Sequence, residues 1–424
     1  MLRLIYTVLF FILLPGVLFR LYWRGLKIPE YKMRWRERLG VYESRKRVEN
    51  TVWIHAVSVG EAEAAFPLIK QIQNEFPKQN ILVTTTTPSG SKRVSDVLGE
   101  SVEHVYLPYD VPFIVERFLS QFSPKLALIM EKEMWPNLFI ACGNRNIPLF
   151  IINARLSVRS AAAYKKIPSL VSNALTPVSH ILAQTPEDAI NFIDIGASKE
   201  KLTVPGNLKF DTTIPFSVIE KGINLKNEIF PQRFVWIAAS THKGEDELLM
   251  ITYKELKKTI PNLLLLLVPR HPERSLSVKR MIENDSDINV LMRSGATKVC
   301  EPEVDVYIAD TIGELKMFYA AADISFMGGT LVPVGGHNIL EPLAIGIPVI
   351  FGPYMENFKE IAEKVIQEQA AIQVSSLDEL SEKLNFLYAN KEYRELLVEK
   401  GRVFLDKNKG AQDITFNKIK QYIA

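Results

Sequence analysis

Residues Phe326 to Pro353 read FMGGTLVPVGGHNILEPLAIGIPVIFGP. A short apolar run, Ala321 to Met327, ends in Gly328-Gly329. A loop with a second glycine pair, Gly335-Gly336, follows. A helical pattern then opens at Asn338, and a strand-like run covers Ile347 to Phe351. The order is strand, glycine loop, helix, strand. Glycines let backbone N–H groups approach a ligand closely, and a helix N-terminus favours negative charge. Asn338 is expected to be the N-cap, with Glu341 three residues on as in a capping box. A carboxylate on that first turn can take two hydroxyls of a ribose. A tight βαβ connection with glycines used only for turns has the same outline. His337, Asn338, Glu341 and Pro342 together favour the nucleotide site.

The same alternation runs outward in both directions. Strands are predicted at 51–57, 81–87, 104–110, 125–130, 147–153 and 180–185, with helical patterns between them. Near VPGNLKFD (204–211) the pattern pauses, and a mixed polar stretch to about Pro231 reads as an interdomain connection. Strands resume at 234–240, 263–269, 305–310, 322–328 and 347–353, and the chain closes with helices. Short apolar runs alternating with helices predict an α/β protein with parallel sheets covered on both faces. Two doubly wound domains are expected, 25–210 and 211–424, after an N-terminal segment 1–24.

That first segment differs from the rest. Leu4 to Phe19 carries no charge, and Leu21, Tyr22 and Trp23 extend it past Arg20. A full span needs roughly 20 residues, so the segment reaches that length only if Arg20 snorkels. A short span and a dip into one leaflet both fit; a signal peptide fits less well, with no small-residue cleavage site. Arg24, Lys27, Lys32, Arg34, Arg36 and Arg38 follow, against Glu30 and Glu37. That excess predicts a cytoplasmic body by the positive-inside rule, and the cluster can hold anionic headgroups.

At 424 residues, 47% apolar and 23% charged, the chain is long enough for two or three cores. A net charge of +3 gives no reason to expect a nucleic-acid partner. Cys142 and Cys300 are far apart and in no motif, which suits a reducing compartment. The six histidines are scattered, with no i,i+4 pair, so no built-in metal site is expected.

In open parallel sheets ligands bind beyond the carboxyl ends of the strands. After strand 51–57, Ser58-Val59-Gly60-Glu61 reads as a sharp turn into a helix. Glu61 there can be a general base, or simply favourable charge at a helix N-terminus. The helix end is expected to favour its ionised form and so lower its proton affinity. Strand 125–130 leads to Glu131-Lys132-Glu133-Met134-Trp135-Pro136-Asn137, an ion pair fixing a loop or a set of acceptor-site groups. TTTTPSG (84–90) offers hydroxyls and amides to an anion or sugar. Arg155 and Arg159 suit phosphate or carboxylate recognition. In the second half, Ser240 or Thr241 can cap a helix. Pro269-Arg270-His271 reads as a phosphate clamp. Asp310-Thr311-Ile312-Gly313-Glu314 can bracket a base with backbone groups. Anion and ribose groups thus gather in the second domain, and carboxylates in the first.

These motifs together resemble the bacterial 3-deoxy-D-manno-octulosonic acid (Kdo) transferases: SVGE at 58–61, TTTTPSG at 84–90, EKEMWPN at 131–137, NARLS at 153–157, AASTHKGEDE at 238–247, PRHPER at 269–274, DTIGEL at 310–315, GGHNILEP at 335–342 and GPYMENF at 352–358. One departure is Lys132, where the family more often has a smaller residue such as Thr. The resemblance implies a GT-B fold, two Rossmann-like domains with a cleft between. It implies inverting transfer of Kdo from CMP-Kdo to a lipid A precursor at the cytoplasmic face of the inner membrane, with no metal cofactor. It matches Glu61 to the family's catalytic base and Glu131 to a carboxylate near the acceptor. It matches Pro269, Arg270, Ile312, Gly313, Glu314, Asn338, Ile339, Leu340 and Glu341 to segments that bind CMP. An inverting transfer needs one base and no nucleophilic residue, and no catalytic triad is evident. A MurG-like transferase, a UDP-sugar 2-epimerase or a non-catalytic membrane scaffold on the same fold remain the other expectations.

Overall fold

A computed structural model of the chain describes residues 2–42, 48–284, 288–295 and 303–424. Cys300 lies outside them; Cys142 is buried and free. The chain divides into two compact units, Met1–Asp211 with Asn408–Ala424, and Thr212–Lys407.

The first unit is built on a seven-stranded sheet: β1 (Thr51–His55), β2 (Ile81–Thr85), β3 (Glu103–Tyr106), β4 (Pro124–Met130), β5 (Leu149–Ala154), β6 (Val178–Ala183) and β7 (Leu202–Thr203). Their order is β3-β2-β1-β4-β5-β6-β7, and every pair is parallel. Parallel neighbours need crossover helices, which cover both faces. Hence the strands read as continuous apolar runs: Trp53, Ala127 and Ile129 pack on one face, and Val52, Ile54, Leu126 and Leu128 on the other.

The second unit repeats the plan with β8 (Phe234–Thr241), β9 (Leu263–Pro269), β10 (Val290–Met292), β11 (Val306–Ile308), β12 (Ile324–Met327), β13 (Val349–Phe351) and β14 (Ile372–Gln373). The order is β10-β11-β9-β8-β12-β13-β14, again parallel throughout. The central strands therefore end on one edge, which collects the loops after β8, β9, β11 and β12.

The expected second domain, 211–424, loses its last residues to the first unit. The helix Ala411–Ile419 buries Ala411, Phe416 and Ile419 in the core under β1 and β4. The Asp211 carboxylate accepts the Gly410 and Gln412 N–H groups at 2.7 and 2.8 Å, fixing the turn into that helix.

The N-terminal helix runs from Leu2 to Lys27, three residues past the expected segment, and is long and apolar enough to cross a membrane. Yet one side of it packs on the first unit. Leu14 joins Val111 and Ile114, with Phe10 and Leu18 beside them. Tyr6 donates to the Asp110 carboxylate at 2.9 Å, and the Arg3 Nε donates to the Asn137 amide oxygen at 3.0 Å. The opposite side leaves Phe11, Ile12 and Leu13 55–65% exposed.

Candidate active-site residues

In the first unit, β1 runs into the helix Val59–Glu75 at Ser58, whose backbone is extended. Gly60 has no left-handed backbone, and a Cβ there would meet nothing within 4 Å, so the sharp turn expected of it is not its role. Glu61 lies in the first helical turn and accepts the Val57 N–H at 2.7 Å. Burial, then the charge of Glu131, push its carboxyl up to about 8, against the pull of the Val57 bond. The expectation that the helix end would lower its proton affinity is thus overturned: one backbone hydrogen bond loses to desolvation and a neighbouring carboxylate.

Glu131 follows β4 in a left-handed conformation, φ 57°, with its N–H on the Ile152 carbonyl at 3.0 Å. Its partner is Lys209, 3.5 Å away, and not the adjacent Lys132. Lys209 was missed in the sequence because 204–211 reads as a linker. It is held by a buried amide network. Asn153 Oδ1 accepts the Leu208 N–H at 3.0 Å; the Gln184 amide donates to the Asn153 carbonyl at 3.0 Å; and Asn207 donates to the Gln184 oxygen at 2.9 Å. Lys209 acts on Glu61 in the opposite sense to Glu131 and Glu133.

Other expected groups serve the scaffold. The Thr84 hydroxyl meets Trp53 Nε1 and His55 Nδ1, each at 2.8 Å, and Thr87 caps the helix Pro88–Leu98 by accepting the Gly90 N–H at 3.1 Å. Of the N-terminal basic cluster, Arg34 pairs with Glu37 at 2.9 Å and Arg38 donates to the Thr86 carbonyl at 2.8 Å. Both are turned into the protein. Asp110 caps the helix Pro136–Asn144 from another strand end, accepting the Asn137 and Leu138 N–H groups at 3.0 and 2.7 Å. Burial raises its carboxyl to about 6.

In the second unit, Glu245 organises the glycine loop. It is fully buried and accepts four backbone N–H groups: His242 at 3.2 Å, Gly329 at 2.6 Å, Thr330 at 3.1 Å and Leu331 at 3.0 Å. The expected Ser240 or Thr241 cap is absent, since the helix starts at Asp246 and Thr241 donates to the Asp246 side chain at 2.6 Å. Gly328 must be glycine, because a Cβ there would stand 2.6 Å from the Ser240 carbonyl.

The expected nucleotide groups lie on the shared sheet edge. Pro269 ends β9, and Arg270 follows with its N–H on the Thr241 carbonyl at 3.0 Å and its side chain exposed. Ile312 is 85% exposed, and Gly313 has φ 88°. Glu314 pairs with Arg293 at 3.0 Å. Although burial opposes it, bonds from Arg293 and Thr311 hold the Glu314 carboxyl below its usual range. The helix after the glycine loop is Leu340–Ile345, capped by Ile339. Asn338 is therefore one residue too early for the expected capping box; its side chain accepts the Leu340 N–H at 3.1 Å. Ile339 and Leu340 are buried. Glu341 keeps its place in the first turn and pairs with Lys316 at 3.4 Å, which ties it to the helix following Glu314.

Residues 33–212 match the family model for 3-deoxy-D-manno-octulosonic-acid transferase (kdotransferase), and 297–404 match glycosyl transferases group 1. Over 99% of both chains the sequence is 40% identical to the 3-deoxy-D-manno-octulosonic acid transferase of Haemophilus influenzae. It is 32% identical to that of Bordetella pertussis over 88% of this chain and 87% of the other. The UDP-GlcNAc 2-epimerase of Neisseria meningitidis, solved with UDP-GlcNAc, superposes with a TM-score of 0.57 over 88% of this chain and 100% of its own, at 16% identity. That likeness is one of fold, and the two seven-stranded parallel domains are those of the GT-B class.

Proposed function

The chain belongs to the Kdo transferase family of glycosyltransferases, and from that premise we propose that it moves Kdo from CMP-Kdo to a lipid A precursor with inversion at the anomeric carbon. The observation that carries this is the 40% identity to a Kdo transferase along 99% of both chains.

Glu61 takes the proton of the attacking hydroxyl. Its carboxyl, raised to about 8, is a stronger base than an exposed glutamate and still ionises near neutral pH. Glu131 and Lys209 tune it from either side. The acceptor oxygen bonds to the sugar carbon as the bond to the phosphate oxygen breaks, and that electron pair leaves with CMP. Arg270 meets the phosphate, the backbone at Ile312-Gly313-Glu314 brackets the base, and Asn338 to Glu341 hold the ribose. A leaving group with one phosphate can be met by arginine and backbone N–H groups without a metal.

The acceptor is a membrane lipid, and the N-terminal helix supplies the attachment. One side of it is bonded to Asp110 and Asn137, and the exposed apolar residues on the other support our reading that it lies in the cytoplasmic leaflet of the inner membrane. The test is a product mass spectrum after incubation with CMP-Kdo and lipid IVA. A mass gain of one or more Kdo residues with CMP release is expected. Release of UDP from UDP-GlcNAc, with no Kdo transfer, would reject the assignment.

A further inference from the structure

The loops after β8, β9 and β12 gather three imidazoles on the edge of the second sheet. The His242 and His337 rings lie edge to edge, with centroids 5.1 Å apart and planes 9° from parallel, and their Nε2 atoms are 2.8 Å apart. His271 meets His242 edge-on at 6.1 Å. At 2.8 Å the two Nε2 atoms form a hydrogen bond only if one carries hydrogen and the other does not. The backbone is built around this pair. Glu245 fixes the His242 N–H and the Gly329 N–H with one carboxylate oxygen, and the Gly336 N–H closes on the Gly329 carbonyl at 2.9 Å. Gly329 has φ 68°, and a Cβ on it would press on His337 Nε2 at 3.2 Å and His242 Cδ2 at 3.3 Å. Among the described residues no group of three or more His, Cys, Asp or Glu side chains is placed to hold a metal ion.

The neighbouring basic groups all bear on the pair in one direction. Arg270, Arg274 and His271 act on His242, and Arg270 and His271 on His337. The carboxylates nearby are engaged elsewhere. Glu245 serves backbone N–H groups, Asp246 pairs with Arg274, and Glu273 lies 3.8 Å from His271. Burial, then the neighbouring guanidinium and imidazole groups, hold His242 down and His337 down to about 3. A cluster of this composition is complementary to an anion. An imidazole pair can accept one further proton, at Nδ1 of the donating ring, and keep its Nε2 bond as an imidazolium–imidazole pair.

We infer that His242 and His337 form a proton-accepting dyad for the donor phosphate, neutral when the site is empty and carrying one added proton when a phosphate occupies it. This rests on the proposal that the second unit binds the cytidylate. During transfer the sugar carbon–oxygen bond breaks and the phosphate passes from a singly charged diester to a doubly charged monoester. The added proton stands against that second charge and leaves with CMP or to water on release. The proton of the acceptor hydroxyl goes separately to Glu61, so proton uptake and release at the dyad cancel over one turnover.

The test is calorimetric titration of the full chain with CMP at pH 8, in buffers of differing ionisation enthalpy. At that pH CMP is already a dianion, because its second phosphate pKa is about 6, so protons taken up come to the protein. Wild type is expected to take up a measurable fraction of one proton per CMP. His337→Gln and His242→Gln are expected to take up none and to bind CMP about 10-fold more weakly, as for loss of a charge-assisted hydrogen bond. Cytidine is expected to bind without proton uptake. Zero uptake in wild type, a measurement that needs no variant, overturns the dyad, as does wild-type uptake retained in both variants. Absence of any CMP binding to wild type overturns the donor assignment itself, and the dyad with it.

Discussion

The Lys209 ammonium stands 3.5 Å from the Glu131 carboxylate, and both charges act on Glu61 with opposite sign. The acidic limb of kcat/KM is therefore expected near pH 8, where Glu61 ionises. Glu131→Gln removes a negative neighbour and should move that limb to lower pH. Lys209→Met removes a positive one and should move it higher. A pH–rate profile of the two variants checks this; shifts of the same sign would reject the coupling.

Glu61 also makes the folded state sensitive to pH. Its folded pKa, about 8, is above that of an unfolded glutamate, so its contribution to stability is full below the ordinary carboxylate range and is lost as pH rises through about 8. Glu61→Gln should leave the melting temperature little changed at pH 5 and raise it above wild type at pH 9, as when a strained functional group is removed. Thermal melts at the two pH values measure the difference.

Arg270 is exposed at the end of β9, and its backbone N–H is bonded to the Thr241 carbonyl. Arg270→Ala should weaken CMP-Kdo binding by about 10-fold or more, the range of a charged hydrogen bond, and leave the melting temperature unchanged. Donor titration alongside a melt separates the two effects. Unchanged affinity would remove Arg270 from the phosphate site.

Asp110 receives three donors: the Tyr6 hydroxyl and the Asn137 and Leu138 N–H groups. Asparagine offers one acceptor oxygen and turns an NH2 group toward the rest. Asp110→Asn should cost about 1–3 kcal/mol, the range for an unsatisfied buried group. Tyr6→Phe removes one donor and leaves Asp110 with two, so its cost should be smaller. Melting temperatures of both variants test whether the N-terminal helix is bonded to the body or merely tethered to it.

Much of the architecture is legible in the chain. Central strands such as β4, β8 and β9 are long apolar runs because helices cover both faces of each sheet. The strands not predicted, β7, β10 and β14, are two or three residues long and lie at sheet edges, too short for a hydrophobic period to register. The positions of Glu61, Glu131, Arg270 and Glu341 follow from strand-end reading. The protonation of Glu61 does not, because it depends on burial and on a carboxylate far along the chain. Lys209 and Glu245 were hidden for a related reason. Lys209 is set by an amide network of distant residues, and Glu245 sits among acids that read as helix-start charge while its carboxylate spans to another loop. Sequence order puts the closing helix in the second domain, whereas Phe416 and Ile419 join the core of the first unit.

The most direct test is single-turnover transfer by Glu61→Ala with CMP-Kdo and lipid IVA, beside donor affinity for the same variant. Donor affinity within a few-fold of wild type, with turnover lower by about 10² or more, is the expected result for loss of a general base. Turnover near the wild-type rate would contradict the assignment of Glu61 and the chemistry built on it.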